Sequence, residues 1–293
     1  MTDTATRMYV TGARNAVLLG ALEQVLSAAA KADIPVLALK GAVLCALGVY
    51  KTGEREFCDL DLLLKKKDLP RFTALLPALN YERTPDGSND FVLKGAPDSF
   101  CLPALDLHAE PFQFSLEYAR QEELIWAAAQ PLEIGAAKAY APSAEWLLLI
   151  ALLNPLLHDA CLPVKAVEDA RRITQYFKLD WEVVRDLSDK LRVRPPLEAA
   201  LKRLELEGVA GCPAPRSPET VLDKLFFKAA CRSEPSKMLQ YLLPAALSPR
   251  AALGQVFADR EYFAARGLSF SMVQRIKRPL FLLRDFLKAL FGL

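Results

Sequence analysis

The chain has 293 residues, 52% of them apolar and 25% charged, with a formal net charge of +2. This is the composition of an ordinary soluble globular protein, with ample material for a core, and its length suggests two domains or one domain with a large appendage. A balance this close to neutral gives no strong signal for nucleic acid, so any such partner must be read from local patches.

The first seven residues, Met1 to Arg7, are polar and contain no apolar signal segment. Val17, Leu18, Leu22, Val25, Leu26 and Ala29 recur at helical spacing and predict an amphipathic helix over 13–32. Asp33-Ile34-Pro35 ends it. Residues 36–39 are a short buried strand, and Lys40-Gly41 turns into a second helix over about 42–50. After the loop Lys51-Thr52-Gly53, Arg55 leads into Glu56-Phe57-Cys58-Asp59-Leu60-Asp61-Leu62-Leu63-Leu64, a second buried strand. Cys58 is expected to face away from the acids and to pack. Asp68 is placed to cap a helix over 69–79, with Pro70 in its first turn.

Strands are expected at 81–84, 90–94 and 105–109, with the turn cluster Pro85-Asp86-Gly87-Ser88-Asn89 between the first two. Residues 132–134 form a further strand or a linker. From Ser143 the chain changes character. Helices are predicted through Trp146, Leu149 and Leu153, then over 164–177, 180–191, 196–206, 218–230 and 272–291, the last broken near Pro279. The order is one helix, a mixed α/β stretch, then helices. No internal repeat is evident.

Cys45, Cys58, Cys101, Cys161, Cys212 and Cys231 form no C-x-x-C pair, so neither a zinc knuckle nor a redox dithiol is indicated. Cysteines scattered among apolar neighbours suit a reducing compartment. The longest uncharged apolar stretch, Trp146 to Leu157, is too short for a bilayer and is interrupted by Asn154-Pro155. A cytoplasmic location is the expectation.

Three segments carry chemistry. Side chains alternate along a strand, so Asp59 and Asp61 point to one face, where two like charges repel unless a cation separates them. Mg²⁺ favours carboxylate oxygen together with substrate phosphate. Asp106, in the short strand Ala104-Leu105-Asp106-Leu107-His108, is a third carboxylate able to lie beside the first two. The turn at Lys40-Gly41 opens a helix, where backbone N–H groups and a glycine favour a phosphate. Three acids beside a phosphate-binding turn suit displacement at a nucleoside triphosphate, with Mg²⁺ or Mn²⁺ as the ion.

The segment 34–44, then Tyr50, then Arg55 to Leu64, resembles an uncharacterised bacterial nucleotidyltransferase family of the polymerase-β-like superfamily. That family shows an "LKG-A-x-L" turn, an "R-x-x-x-D-x-D-L-L" strand and a later "D-L-H" strand, which Asp106-Leu107-His108 matches. Trp146, His158, Asp169 and the pair Asp180-Trp181 are similar to the second half of the family. The resemblance implies that Asp59 and Asp61 ligate metal and hold the triphosphate, and that Asp106 is the third ligand, close to the acceptor. It puts Gly41 under the phosphates. Many superfamily members have Gly-Ser or Gly-Gly at this turn. The chain has Lys40-Gly41-Ala42 instead, so Lys40 or Arg55 would supply the missing contact.

Other residues have plainer readings. Lys40 also suits a lysine snorkelling at a strand end, and Arg55 suits a structural pair with Asp59 or Glu56. His108 shares the face of Asp106 and suits either a packed histidine or one that orients a carboxylate. His158 reads as a core or interface residue, and Lys65-Lys66-Lys67 as a solvated helix entrance. The basic, apolar stretch 275–288 suits docking on its own domain, self-association or a membrane surface.

The expected architecture is α+β: a small mixed β-sheet nucleotidyltransferase core with flanking helices over 1–140, then a helical bundle over 141–293 that covers the cleft and selects the acceptor. The expected reaction is Mg²⁺-dependent transfer of a nucleoside monophosphate from an NTP, such as ATP, to a hydroxyl, releasing pyrophosphate. Two alternatives are a nucleotide- or partner-binding module without turnover and a D-x-D glycosyltransferase. The glycosyltransferase usually needs a longer nucleotide-binding half before its acids than the sixty or so residues present here. Neither the acceptor nor the base of the nucleotide is legible.

Overall fold

The structure is a computed structural model and describes residues 2–84, 89–94, 103–112, 118–216, 220–236, 239, 240, 243 and 247. Cys101, the turn at 85–88 and the basic stretch 275–288, with the helix expected over 272–291, lie outside the described residues. The chain divides into two compact units. One comprises Met1–Pro111 with Glu122–Ser143, the other Phe112–Gln121 with the chain from Ala144 onward.

The first unit opens with helix α1, Thr2–Lys31. Leu18, Leu22, Val25, Leu26 and Ala29 form its buried face, each no more than 1% exposed. The helix starts earlier than the apolar pattern predicts, because its first turns are used for docking rather than core. Gly53, at φ +85°, packs so closely on it that a Cβ there would stand 2.2 Å from the Met8 carbonyl oxygen. Asp33 ends α1 in the left-handed region (φ 54°).

Strand β1, Leu37–Ala38, and helix α2, Lys40–Ala46, follow. The second helix stops short of the predicted end because Gly48 turns left-handed (φ 74°). Strand β2, Asp59–Leu63, leads to a short helix α3, Leu69–Thr73, and a 3-10 turn, Leu76–Leu79. One continuous helix was expected across 69–79. Pro77 divides it, since proline has no N–H to continue the ladder. Asp68 flanks α3 but makes no side-chain cap. Its carboxylate meets Arg71 Nη1 at 3.3 Å.

The remaining strands are β3 (Tyr81–Arg83), β4 (Asp90–Leu93), β5 (Ala104–His108), β6 (Gln130–Ile134) and β7 (Ala137–Ala141). Helix α4, Tyr118–Ala127, was not predicted, nor was β7. The sheet has seven strands in the order β3-β4-β5-β2-β1-β7-β6. Two pairs are parallel, β2 with β5 and β1 with β7, and the other four are antiparallel. The fold is thus a mixed sheet with flanking helices, as the order of elements implied. Strand β1 is two residues long, yet it lies inside the sheet, between β2 and β7. Its register, Leu37 opposite Leu63 and Ala38 opposite Leu62, sets the Lys40 turn beside β2.

In the second unit the described elements are helical: α5 (Ala144–His158), α6 (Val164–Tyr176), α7 (Trp181–Lys190), α8 (Arg194–Leu206) and α9 (Val221–Ala230). Helix α5 is its core. Trp146, Leu148, Leu149, Leu152, Leu153 and Leu156 are all fully buried. It runs through Pro155, expected as an interruption, because apolar packing on several faces outweighs the one backbone hydrogen bond proline removes. Trp146 stacks on Phe112 with centroids 5.9 Å apart. No helix of the described residues is long and apolar enough to cross a membrane.

Candidate active site

The alternation of β2 builds one half of the site. Leu60 and Leu62 are fully buried on one face, which leaves Asp59, Asp61 and Leu63 on the other. The parallel pairing with β5 builds the other half. Asp61 stands opposite Asp106, and Leu63 opposite His108. Directly opposed residues share a face, so two acids and a histidine meet across two adjacent strands. Cross-links on either side hold the register: Leu39 N–H donates to the Asp61 carbonyl, and Leu64 N–H to the His108 carbonyl, each at 2.9 Å.

Asp61 is 2% exposed. A carboxylate buried so deeply needs compensating charge. It has two sources. Lys40 Nζ lies 2.5 Å from its Oδ1 and His108 Nε2 lies 2.9 Å from the same oxygen. The same imidazole nitrogen is 3.0 Å from Asp106 Oδ2. His108 therefore ties together carboxylates from two strands.

Burial alone would push the Asp61 carboxyl up, but the hydrogen bond from His108 and the charge of Lys40 outweigh it and hold the group below the ordinary carboxylate range. Burial likewise pulls His108 down. Its hydrogen bonds to Asp106 and Asp61 more than reverse this, and the imidazole is raised to about 9. Lys40 follows the same pattern: burial lowers it, Asp61 more than restores it, and the net direction is upward. The four groups form a compact cluster of two carboxylates and two cations at neutral pH.

Asp59 stands apart. It is exposed at the first position of β2. Partial withdrawal from water, then the negative charge of Asp61, raises its carboxyl. Among the described residues, the group whose ligand atoms converge within 4.8 Å of one another is Asp61, Asp106 and His108. The sequence brought Asp59, Asp61 and Asp106 forward as ligands. The structure unites the last two, keeps Asp59 on the same face, and adds His108, whose signal was its two-residue spacing from Asp106. Register also sets Asp90 of β4 opposite Asp106, which no sequence spacing could reveal.

The turn behind the acids is tightly packed. A Cβ on Gly41 would stand 2.7 Å from Phe57 Cβ and 3.5 Å from Arg55 Nη1. Glycine is thus required here by the close approach of Phe57 Cβ. Arg55 is 8% exposed, and its Nη1 donates to the Glu56 carbonyl. Its own carbonyl accepts from Asn15 Nδ2 at 2.7 Å. The Glu56 carboxylate pairs instead with Arg14 at 2.6 Å. Lys40 itself occupies the left-handed region (φ 50°), which a side chain enters only at a cost of about 1–2 kcal/mol.

Other candidates have structural roles. Cys58 is exposed, not packed, and withdrawal from water pushes the thiols of buried Cys161 and half-buried Cys212 both up to about 11, which makes them poor nucleophiles. His158, expected as a core or interface residue, is not in the core: its side chain is 52% exposed and pairs with Asp159 at 2.9 Å, because it falls in the last turn of α5. Asp169 is buried at 6%. The Asp180 side chain caps α7 by accepting from Glu182 N–H and Val183 N–H. Lys65 lies over the Trp126 ring, 5.1 Å from its centroid, while Lys66 and Lys67 are exposed.

A family described as "Uncharacterised nucleotidyltransferase" matches residues 4–206, more than half of the chain and all of the strands that carry the acids. No curated protein matches. Among solved structures, the solution structure of the antibiotic-resistance factor ANT(2'')-Ia is similar at 17% identity and a TM-score of 0.42, over 64% of this chain and 97% of that one. The match over residues 4–206 shows that the chain belongs to the uncharacterised nucleotidyltransferase family, and nucleotidyl transfer is its general reaction class.

Proposed function

We propose that the chain moves a nucleoside monophosphate from an NTP to a hydroxyl of an acceptor, releasing pyrophosphate, with Mg²⁺ or Mn²⁺ held by Asp61 and Asp106 and supported by Asp59. One observation carries the reading. Two carboxylates from adjacent parallel strands meet at one imidazole nitrogen, 2.9 and 3.0 Å away, in a member of a nucleotidyltransferase family.

The donor set fits a hard divalent ion. Two carboxylates, Asp61 and Asp106, converge beside the His108 imidazole, and Asp59 adds a third acid on the same face. When bound, such an ion neutralises phosphate charge and favours departure of pyrophosphate. The protein groups do the rest. Asp61, buried and fixed by two partners, holds its carboxylate in one orientation. Asp106, with its side chain 30% exposed, is the acid an acceptor hydroxyl can reach and accepts its proton. The acceptor oxygen then bonds to the α-phosphorus as the bond to the bridging oxygen breaks. Lys40 supplies positive charge to the triphosphate, from the turn that Gly41 keeps thin and the Arg55 guanidinium supports from behind.

The test is label transfer from α-labelled NTPs with Mg²⁺ or Mn²⁺ into pools of hydroxyl acceptors. A labelled product that disappears with Asp61→Asn and with Asp106→Asn supports the reading. Retention of label on the protein without product would identify a binding module instead. A thermal shift with nucleotide-sugars and none with NTPs would favour the glycosyltransferase.

A further inference from the structure

Lys40 is the feature of this site that the proposed reaction leaves least explained. Its ammonium lies 2.5 Å from Asp61 Oδ1, the oxygen that also receives His108 Nε2. One carboxylate oxygen thus faces two cationic donors, enough to occupy its lone pairs. A divalent ion seeking that oxygen meets an ammonium already seated there, and like charges at such range repel strongly.

The two partners differ in freedom. Asp61 is 2% exposed and belongs to a strand paired on both sides. The Lys40 side chain is 36% exposed, on a stem of four methylenes. Lys40 is therefore the partner that moves. Its backbone stays anchored when it does, since Leu39 N–H is bonded to the Asp61 carbonyl at 2.9 Å. The left-handed conformation at Lys40 is a cost an ordinary turn would avoid with glycine, and it is tolerated at the residue whose side chain covers the acid.

We infer that Lys40 gates metal loading: its ammonium competes with the divalent ion for Asp61, and metal entry transfers it from the carboxylate to the phosphates of the incoming NTP. The inference rests on the proposed metal-dependent reading and deepens it. The gate makes nucleotide-free metal binding weak and nucleotide-linked binding strong, because a triphosphate gives the displaced ammonium a new partner. Coupling of this kind is reciprocal: what metal gains from nucleotide, nucleotide gains from metal.

The experiment is titration calorimetry of the full chain with Mn²⁺ alone, then with a non-hydrolysable NTP in the presence of Mn²⁺, on wild type, Lys40→Met and Asp61→Asn. The expected result for Lys40→Met is Mn²⁺ binding about tenfold tighter without nucleotide and NTP binding about tenfold weaker, within the usual range for coupled sites. Unchanged or weaker Mn²⁺ binding in a folded Lys40→Met protein overturns the gate. Asp61→Asn separates the two ideas: if it leaves Mn²⁺ affinity at the wild-type value, the metal reading itself fails. A second measurement needs no variant. Labelling of wild-type Lys40 by an amine reagent, read by mass spectrometry, should rise at least several-fold on adding Mn²⁺, and labelling that stays constant at saturating Mn²⁺ also overturns the gate.

Discussion

At the scale of single residues, two acids of the same type are set in different surroundings. Asp61 is sealed in and doubly paired, while Asp106 keeps 30% of its side chain in solvent. Asp61→Asn should therefore lower transfer about a thousandfold or more and also destabilise the fold by about 3–5 kcal/mol, because Lys40 and His108 lose the charge they face. Asp106→Asn should cost a similar factor in turnover with a much smaller stability loss, since water can replace part of what it gave. Single-turnover rates and urea unfolding of the two variants check the contrast. Asp59 belongs to the same face but not to the convergent group, so Asp59→Asn should weaken metal affinity more than it weakens folding. The site acids were legible because D-x-D at the head of an apolar run is a strand with two acids on one side. Lys40 was legible as a charge near them, but its partner was not, since β1 and β2 are joined by twenty residues whose path no spacing records.

At the scale of elements, the turn between β1 and α2 is where packing and chemistry constrain each other. Gly41 looked like a concession to phosphate. Phe57 Cβ, 2.7 Å from where a Cβ would stand, demands the glycine on its own. Gly41→Ala should destabilise by about 1–3 kcal/mol through overpacking, seen as a lower urea midpoint with an unchanged slope. On the opposite face of β2, Leu60 is fully buried, and Leu60→Ala should cost about 2–5 kcal/mol. The helices that sequence placed best are those with a clear start, such as α7, whose Asp180 cap is in place. Helix α4 and strand β7 were missed because their patterns are short and mixed, and β7 reads as AKAYA, without the branched residues that mark a strand. Strand β7 exists because β1 and β6 need a partner between them.

At the scale of the whole molecule, the charge cluster ties stability to pH. His108 is raised from 6.5 to about 9, so its contribution is fully present below pH 6.5 and is lost as pH climbs through about 9. Asp61 is lowered, so its contribution is present above its ordinary range and is lost as pH falls through the lower folded value. With no added metal, wild-type stability should thus fall on the alkaline side between about pH 6.5 and 9. His108→Gln should flatten that slope. Denaturant unfolding across pH 5 to 10 provides the readout.

Local pattern alone determined that a strand bearing Asp59 and Asp61, a second strand ending in Asp106 and His108, and a Lys40-Gly41 turn exist, and that helices follow them. Those features depend on near neighbours in the chain, through alternation, helical period and caps. Only the tertiary structure decided that β2 lies parallel to β5 with Asp61 opposite Asp106, that one imidazole joins them, and that Lys40 covers the buried oxygen. Register between strands more than forty residues apart is set by how the whole sheet buries its leucines, and a one-residue slip would have turned the second acid to the other face.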